Sequence, residues 1–339
     1  GTSESDYLVT SEFGKLIVTQ DNTEVVVTIT EHSGAFEYDG TEKTVSGYDF
    51  SASNELYKNT DFEFTGNDSV SATNVGTYDM ELKSEDFKNT NGNFSKVTFV
   101  LVDGQLTITP KSVDPEAGKG MSVGKLPNVT YNGKSQKQKP EVKDGNTLLT
   151  EGIDYTLMYS KDTTNVGTVT VTVEGKGNYA GEAEVTYGIM KRQVILESAS
   201  ASKVYDGTPL FSHDVVVTSA AGFVEDDVAS MTAPNSITEV GSITNEIVIK
   251  WSNDVAAGNY VVSKEEGVLE VTPKSVIAEG FSVEGLNDVT YNGLAQRQEP
   301  TVKDGDKTLT KDKDYTLSFT EDVTNAGTVR VTVTGKGNY

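Results

Sequence analysis

Apolar and polar residues alternate one for one along much of this chain. In Thr168-Val169-Thr170-Val171-Thr172-Val173 every valine falls on one face and every threonine on the other. That is the period of a strand buried on one side only. Thr328-Val329-Arg330-Val331-Thr332-Val333 keeps the three valines and places Arg330 on the opposite face, where solvent meets the charge. Val25, Val27 and Ile29, then Leu106 and Ile108, then Ile247 and Ile249, follow the same period. No segment sustains a helical period; Ser84-Glu85-Asp86-Phe87 offers a single turn at most.

Turn signals divide these strands at regular intervals. Asp39-Gly40, Asn132-Gly133, Asp206-Gly207 and Asn292-Gly293 each follow a tyrosine, and such pairs accept the positive φ angles of tight hairpin turns. A second signal precedes a strand four times: Asn74-Val75-Gly76-Thr77, Asn165-Val166-Gly167-Thr168, Glu239-Val240-Gly241-Ser242 and Asn325-Ala326-Gly327-Thr328. The count predicts four modules.

Residues 121–179 recur at 281–339 with a constant offset of 160, and 35 of the 59 aligned residues are identical. Modules of two kinds therefore alternate. One kind spans 21–110 and 191–274, the other 111–190 and 275–339. The first kind closes on Leu106-Thr107-Ile108-Thr109-Pro110 and Leu269-Glu270-Val271-Thr272-Pro273, each followed by Lys-Ser-Val. Proline ends the strand and stiffens the step onward. No Gly/Ser-rich tract separates the modules, so the linkers read as short and semi-rigid. The expected fold is all-β, with four small immunoglobulin-like sandwiches in an elongated rod; β-grasp-like modules are the alternative. Residues 1–20 match the end of the third module and read as the terminal strands of a preceding one, with 6–19 expected to form a hairpin. The last module reads as lacking the strand that Ala183-Glu184-Val185-Thr186-Tyr187 supplies in the second.

Charge and composition exclude several functions. Lys and Arg number 28 against 51 Asp and Glu, a net charge of −23 that repels nucleic-acid backbones and anionic membranes. Neither is expected as a partner. Cysteine is absent, which removes disulfides, thiolate metal sites, cysteine nucleophiles and thioester crosslinks. The two histidines, His32 and His213, sit at positions that do not correspond between modules and have no catalytic partner beside them in sequence.

Asp144-Gly145-Asn146 and Asp304-Gly305-Asp306 lack the full ligand series of a calcium loop and read as hairpin turns. Glu225-Asp226-Asp227, and Asp312 with Asp314, read as screened surface charge, and Gly175-x-Gly177 as a β turn rather than a phosphate loop, since no helix follows it. No lysine lies in an apolar run that would force the burial an isopeptide crosslink needs. Trp251, the only tryptophan, is expected to pack in a core or at a sheet edge rather than to serve as a ligand platform. No catalytic, cofactor-binding or metal residue is assigned, and the residues of any ligand site stay unassigned.

Val204-Tyr205-Asp206-Gly207-Thr208-Pro209 with Leu269-Glu270-Val271-Thr272-Pro273, and in the other kind of module Tyr131-Asn132-Gly133, Asp154-Tyr155-Thr156-Leu157, Asn165-Val166-Gly167-Thr168 and Gly177-Asn178-Tyr179, are the carrying motifs of a resemblance. Their order over nearly the whole chain resembles the YDG-type and MBG-type β repeats of adhesin-like surface proteins from Gram-positive gut bacteria. The resemblance implies an exported multi-domain protein, anchored to the cell wall through a region elsewhere, in which these modules act as stalk or adhesive repeats and supply no catalytic residues; the favoured expectation is a monomeric, non-catalytic stalk or spacer contacting neighbouring modules of its own chain. Direct binding of a host glycan or extracellular protein is the rival expectation, and an accessory region of a surface carbohydrate-active enzyme the third.

Overall fold

The computed structural model describes residues 13–117 and 121–339. Regular structure among the described residues is nearly all β, with a 3-10 turn at Ser84–Asp86, where the single turn is expected, a second at Pro115–Ala117, and a one-turn helix at Asp254–Gly258. The chain packs as two compact units whose division runs through residues 111–190. One gathers the chain up to Leu126 with Gln138–Ser160 and Thr170–Thr186; the other gathers Pro127–Lys137, Lys161–Val169 and Tyr187–Tyr339.

In the first unit, the strand Val25–Glu31 buries Val25, Val27 and Ile29, as its alternation predicts. It pairs antiparallel with Tyr48–Ala52 and parallel with Val97–Val102. Both parallel partners then bend and continue in a second sheet. Gly34–Glu37 runs parallel to Gln105–Thr109, which also pairs antiparallel with Gly76–Asp79. Leu106 and Ile108 of the second sheet meet Val25, Val27 and Ile29 of the first in one apolar cluster, so the two sheets form a sandwich.

The bend has a specific chemistry. Glu31 is buried there, and its carboxylate accepts the N–H of Gly104 at 2.8 Å and of Leu82 at 3.1 Å. A Cβ on Gly104 would sit 2.3 Å from the carbonyl oxygen of His32, so only glycine lets the strands pass this closely.

The second unit repeats the plan. Arg192–Ser198 runs parallel to Tyr260–Glu265, and Ala201–Val204 parallel to Gly267–Thr272. Ser198 replaces Glu31 at the bend, accepting the N–H of Gly267 at 3.0 Å and donating to the carbonyl of Asn245 at 2.6 Å.

The two matched repeats share one register. Met121–Val123 pairs with Val142–Asp144 as Phe281–Glu284 does with Thr301–Asp304, and Tyr155–Tyr159 pairs with the strand ending at Gly175 as Tyr315–Phe319 does with the one ending at Gly335. Val169, Val171 and Val173 are buried, whereas Val329, Val331 and Val333 point the same way but are half-buried. The strand is also shorter in the later copy, Val331–Gly335 against Gly167–Gly175. The alternation holds and the cover differs.

Two expectations need correction. The Asp-Gly and Asn-Gly pairs do take positive φ, +81° at Gly40, +77° at Gly133, +79° at Gly207 and +76° at Gly293. They are not hairpins, however. The strands either side of Asp39-Gly40 pair with different partners, Gly34–Glu37 with Gln105–Thr109 and Lys43–Ser46 with Ser69–Ala72, so the turn carries the chain between sheets. The hairpin expected at 6–19 also fails in its second half. Residues 13–19 carry no strand, and Phe13, Leu16 and Val18 are almost fully exposed; 6–12 lie outside the described residues. In the matching Gly267–Thr272 the strand is flanked on both sides, and no described strand flanks 14–19.

Candidate functional site

Three tyrosines that open the Asp-Gly and Asn-Gly turns, Tyr38, Tyr131 and Tyr205, each receive the edge of a second tyrosine from later in the chain. The pairs are Tyr38 with Tyr179, Tyr131 with Tyr260 and Tyr205 with Tyr339. Their ring centroids lie 5.5, 5.6 and 5.6 Å apart at 78°, 81° and 76°. Each incoming tyrosine follows an asparagine. The Oδ1 of Asn178, Asn259 and Asn338 accepts the N–H of Val75, Val166 and Val240 at 2.8, 2.8 and 2.9 Å. Their Nδ2 groups donate to Asn74 Oδ1 at 3.0 Å, to Asn165 Oδ1 at 2.8 Å, and to the carboxylate of Glu239. One joint is thus built three times, with a carboxylate in place of an amide oxygen at the third.

The backbone explains why the joint forms where it does. The N–H groups of Tyr38, Tyr131 and Tyr205 donate to the carbonyls of Thr109, Met190 and Thr272, the last residues before each linker. The second linker residue, Lys111, Arg192 or Lys274, in turn donates its N–H to the carbonyl of the joint asparagine at 3.1, 2.9 and 3.0 Å. Each linker is therefore held on both sides, by the turn of the segment it leaves and by the corner of the segment it enters. An edge-on aromatic pair contributes about 1 kcal/mol beyond area burial, and each satisfied amide about 1 kcal/mol more.

The surrounding charges differ from joint to joint. At the first, Lys111 is salt-bridged to Asp144 at 2.5 Å with both side chains largely buried, and the hydroxyl of Tyr179 donates to the same carboxylate at 3.3 Å. Burial chiefly, then the Asp144 charge, pushes the Tyr179 phenol well up. Lys274 and Asp304 reproduce that ion pair at the third joint, also at 2.5 Å.

There Lys307 adds a cation 5.5 Å from the Tyr205 ring and 5.3 Å from the Tyr339 ring, donating to the Tyr339 hydroxyl at 3.1 Å. That hydrogen bond is the main reason the ammonium is held above the usual lysine range. At the second joint Asp227 Oδ2 accepts from both hydroxyls, Tyr131 at 2.9 Å and Tyr260 at 2.5 Å, while Tyr260 accepts the N–H of Val224 at 2.8 Å. Burial first, then Asp227, raises both phenols. A Cβ on Gly133 would meet Val224 Cγ1 at 2.5 Å, so this turn needs glycine for space as well as for φ.

Of the residues weighed from sequence, Asp144, Asp304, Asp227 and Trp251 touch a joint, and the others fall elsewhere. His32 contacts the carbonyl of Ser46 and the carboxylate of Asp49; His213 contacts the carbonyl of Ala233 and stacks on Phe211. Asp144-Gly145 and Asp304-Gly305 are hairpin turns as expected, with their aspartates paired to lysine. Asp314, read as screened surface charge, is instead buried and accepts the N–H of Thr310 at 2.8 Å. Gly175 lets Ala180 pass, its absent Cβ falling 2.6 Å from that backbone nitrogen. Trp251 stacks on Tyr260 at 5.4 Å and receives Phe223 edge-on, the packing role expected. Asp227, read as screened surface charge, instead bridges two tyrosines. No cluster of three histidine or carboxylate groups suited to a metal occurs among the described residues.

Comparison with known proteins agrees with the resemblance for one segment. Residues 25–110 match the model of the MBG domain, which identifies that segment as an MBG-type β module. No curated protein matches the chain. Solved structures with some likeness include the Bacteroides ovatus mixed-linkage glucan utilization locus SGBP-B, in complex with a mixed-linkage heptasaccharide. It is 12% identical over 76% of this chain and 70% of that one, with a TM-score of 0.14. The N-terminal eight Ig domains of Down Syndrome Cell Adhesion Molecule are 11% identical over 92% of this chain and 54% of that one, with a TM-score of 0.15.

Proposed function

We propose that this chain is a stalk or spacer segment of a bacterial cell-surface adhesin, exported and non-catalytic, whose work is to hold successive modules at set angles. The observation that carries the reading is the threefold joint: ring pair, asparagine clamp and pinned linker recur at three corresponding places, as a device for relaying orientation from one segment to the next would require. An MBG domain at 25–110 supports the placement among adhesin-like surface proteins. The net charge of −23 supports a surface that resists self-association.

A screen of the purified chain against glycans and extracellular-matrix proteins tests this reading. A spacer gives no saturable binding. Saturable binding of a glycan or matrix protein, abolished by point substitution on one segment, would replace it with direct adhesion.

A further inference from the structure

His32 sits in the crossing where the strand Val25–Glu31 passes into Gly34–Glu37, and the crossing leaves it little room. Its N–H donates to the carbonyl of Gly47 at 3.1 Å, and its own carbonyl is the oxygen that a Cβ on Gly104 would meet at 2.3 Å. A Cβ on Gly47 would lie 3.2 Å from the ring nitrogen Nδ1, at a residue whose φ of +87° already favours glycine. The ring therefore lies against the turn between Lys43–Ser46 and Tyr48–Ala52, strands of different sheets. Both ring nitrogens face acceptors there. Nδ1 is 2.9 Å from the carbonyl of Ser46, and Nε2 is 3.3 Å from the carboxylate of Asp49. A neutral imidazole carries one N–H and donates to only one of them, whereas the imidazolium donates to both.

We propose that His32 is a proton-operated latch: protonated, it ties the turn at Gly47 to the sheet crossing of the first module, and neutral, it releases one of its two acceptors. Asp49 is the charged group that meets the ring. The buried Glu31 beside it in sequence spends its carboxylate on the N–H groups of Gly104 and Leu82, and Asp68 reaches the turn through its backbone carbonyl, which accepts the N–H of Gly47 at 2.8 Å. The hydrogen bond to Asp49 first, then the one to Ser46, raises the imidazole above its usual range. A folded value above the unfolded one, about 6.5, means that the latch contributes fully below that pH and is lost as pH rises through the folded value. The second segment built on this plan supplies a control. Its crossing puts Ala199 where His32 stands, with the Ala199 carbonyl against Gly267, so no proton can work it.

The test follows the full chain by NMR from about pH 5 to about pH 9, reading the His32 ring together with the amides of Gly47 and Gly267. The expected result is a His32 midpoint above about 6.5, a Gly47 amide that shifts with that same midpoint, and a Gly267 amide that does not follow it. Asp49→Asn, a change at an exposed side chain, is expected to lower the His32 midpoint and the Gly47 response together. A His32 midpoint at or below the ordinary value, a midpoint that Asp49→Asn leaves in place, or a Gly47 amide that does not follow His32 would each overturn the proposal. None of these outcomes bears on the spacer reading, which rests on the three joints.

Discussion

The side-chain oxygen of Asn259 accepts the backbone N–H of Val166 at 2.8 Å across 93 positions of sequence, and Asn259 is only 2% exposed. Such a bond satisfies a half-buried donor that is remote in the chain. Asn259→Ala is therefore expected to cost about 1–3 kcal/mol, and Asn178→Ala or Asn338→Ala, at more exposed joints, less. Urea denaturation measures each. Equal, negligible losses at all three would reduce the clamp to a surface contact.

The bend that passes each long strand from one sheet to the next depends on a missing side chain. Gly104→Ala places a Cβ 2.3 Å from the His32 carbonyl, and Gly267→Ala places one 2.5 Å from that of Ala199; backbone must move in both. Each is expected to destabilise by more than about 2 kcal/mol, while Gly92→Ala, with nothing within 4 Å, stays within about 0.5 kcal/mol. Thermal melts that fail to separate Gly104→Ala from Gly92→Ala would contradict the crossing geometry.

Glu31 supplies the other half of that bend. Replacing it by alanine orphans the N–H groups of Gly104 and Leu82, at about 1–3 kcal/mol for each buried donor. Glu31→Gln retains an acceptor and should recover most of the loss. A glutamine variant as unstable as the alanine variant would show that shape, not acceptance, is what matters.

Asp206 heads the turn after Tyr205. The Lys203 ammonium, then the N–H and hydroxyl of Thr208, hold its carboxyl well below the usual range. A folded value below the unfolded one, about 3.9, means the contribution is fully present above that pH and is lost as pH falls through the folded value. Carboxyl carbon NMR should therefore find Asp206 still ionised where ordinary aspartates have titrated, with Lys203→Met moving its midpoint back up. A midpoint in the ordinary range would discount the turn network.

Period two made the strands legible, because Val169, Val171 and Val173 and their counterparts differ from their neighbours in the property that burial selects. Alternation carries no direction, so the parallel pairing of Val25–Glu31 with Val97–Val102 was not readable from it. The joint was hidden for a related reason. Tyr38, Tyr131 and Tyr205 marked turns, and their partners lie 129 to 141 positions away, a distance local patterning does not span. A signal was present nonetheless: the dipeptide Asn-Tyr occurs at 178–179, 259–260 and 338–339, in both kinds of segment, where the strands around it differ. Asp227 was missed because a carboxylate among carboxylates looks solvated until two phenols are seen to face it.

The proposed spacer role requires each joint to fix the angle between the segments it joins. With no native cysteine, Ser263→Cys and Ser318→Cys place two spin labels on either side of the Tyr205–Tyr339 joint, and pulsed electron-spin resonance reads the distance between them. The joint predicts one narrow distribution that broadens when Tyr205→Ala and Asn338→Ala are added. A broad distribution in the native chain, or an unchanged narrow one after both substitutions, would contradict it.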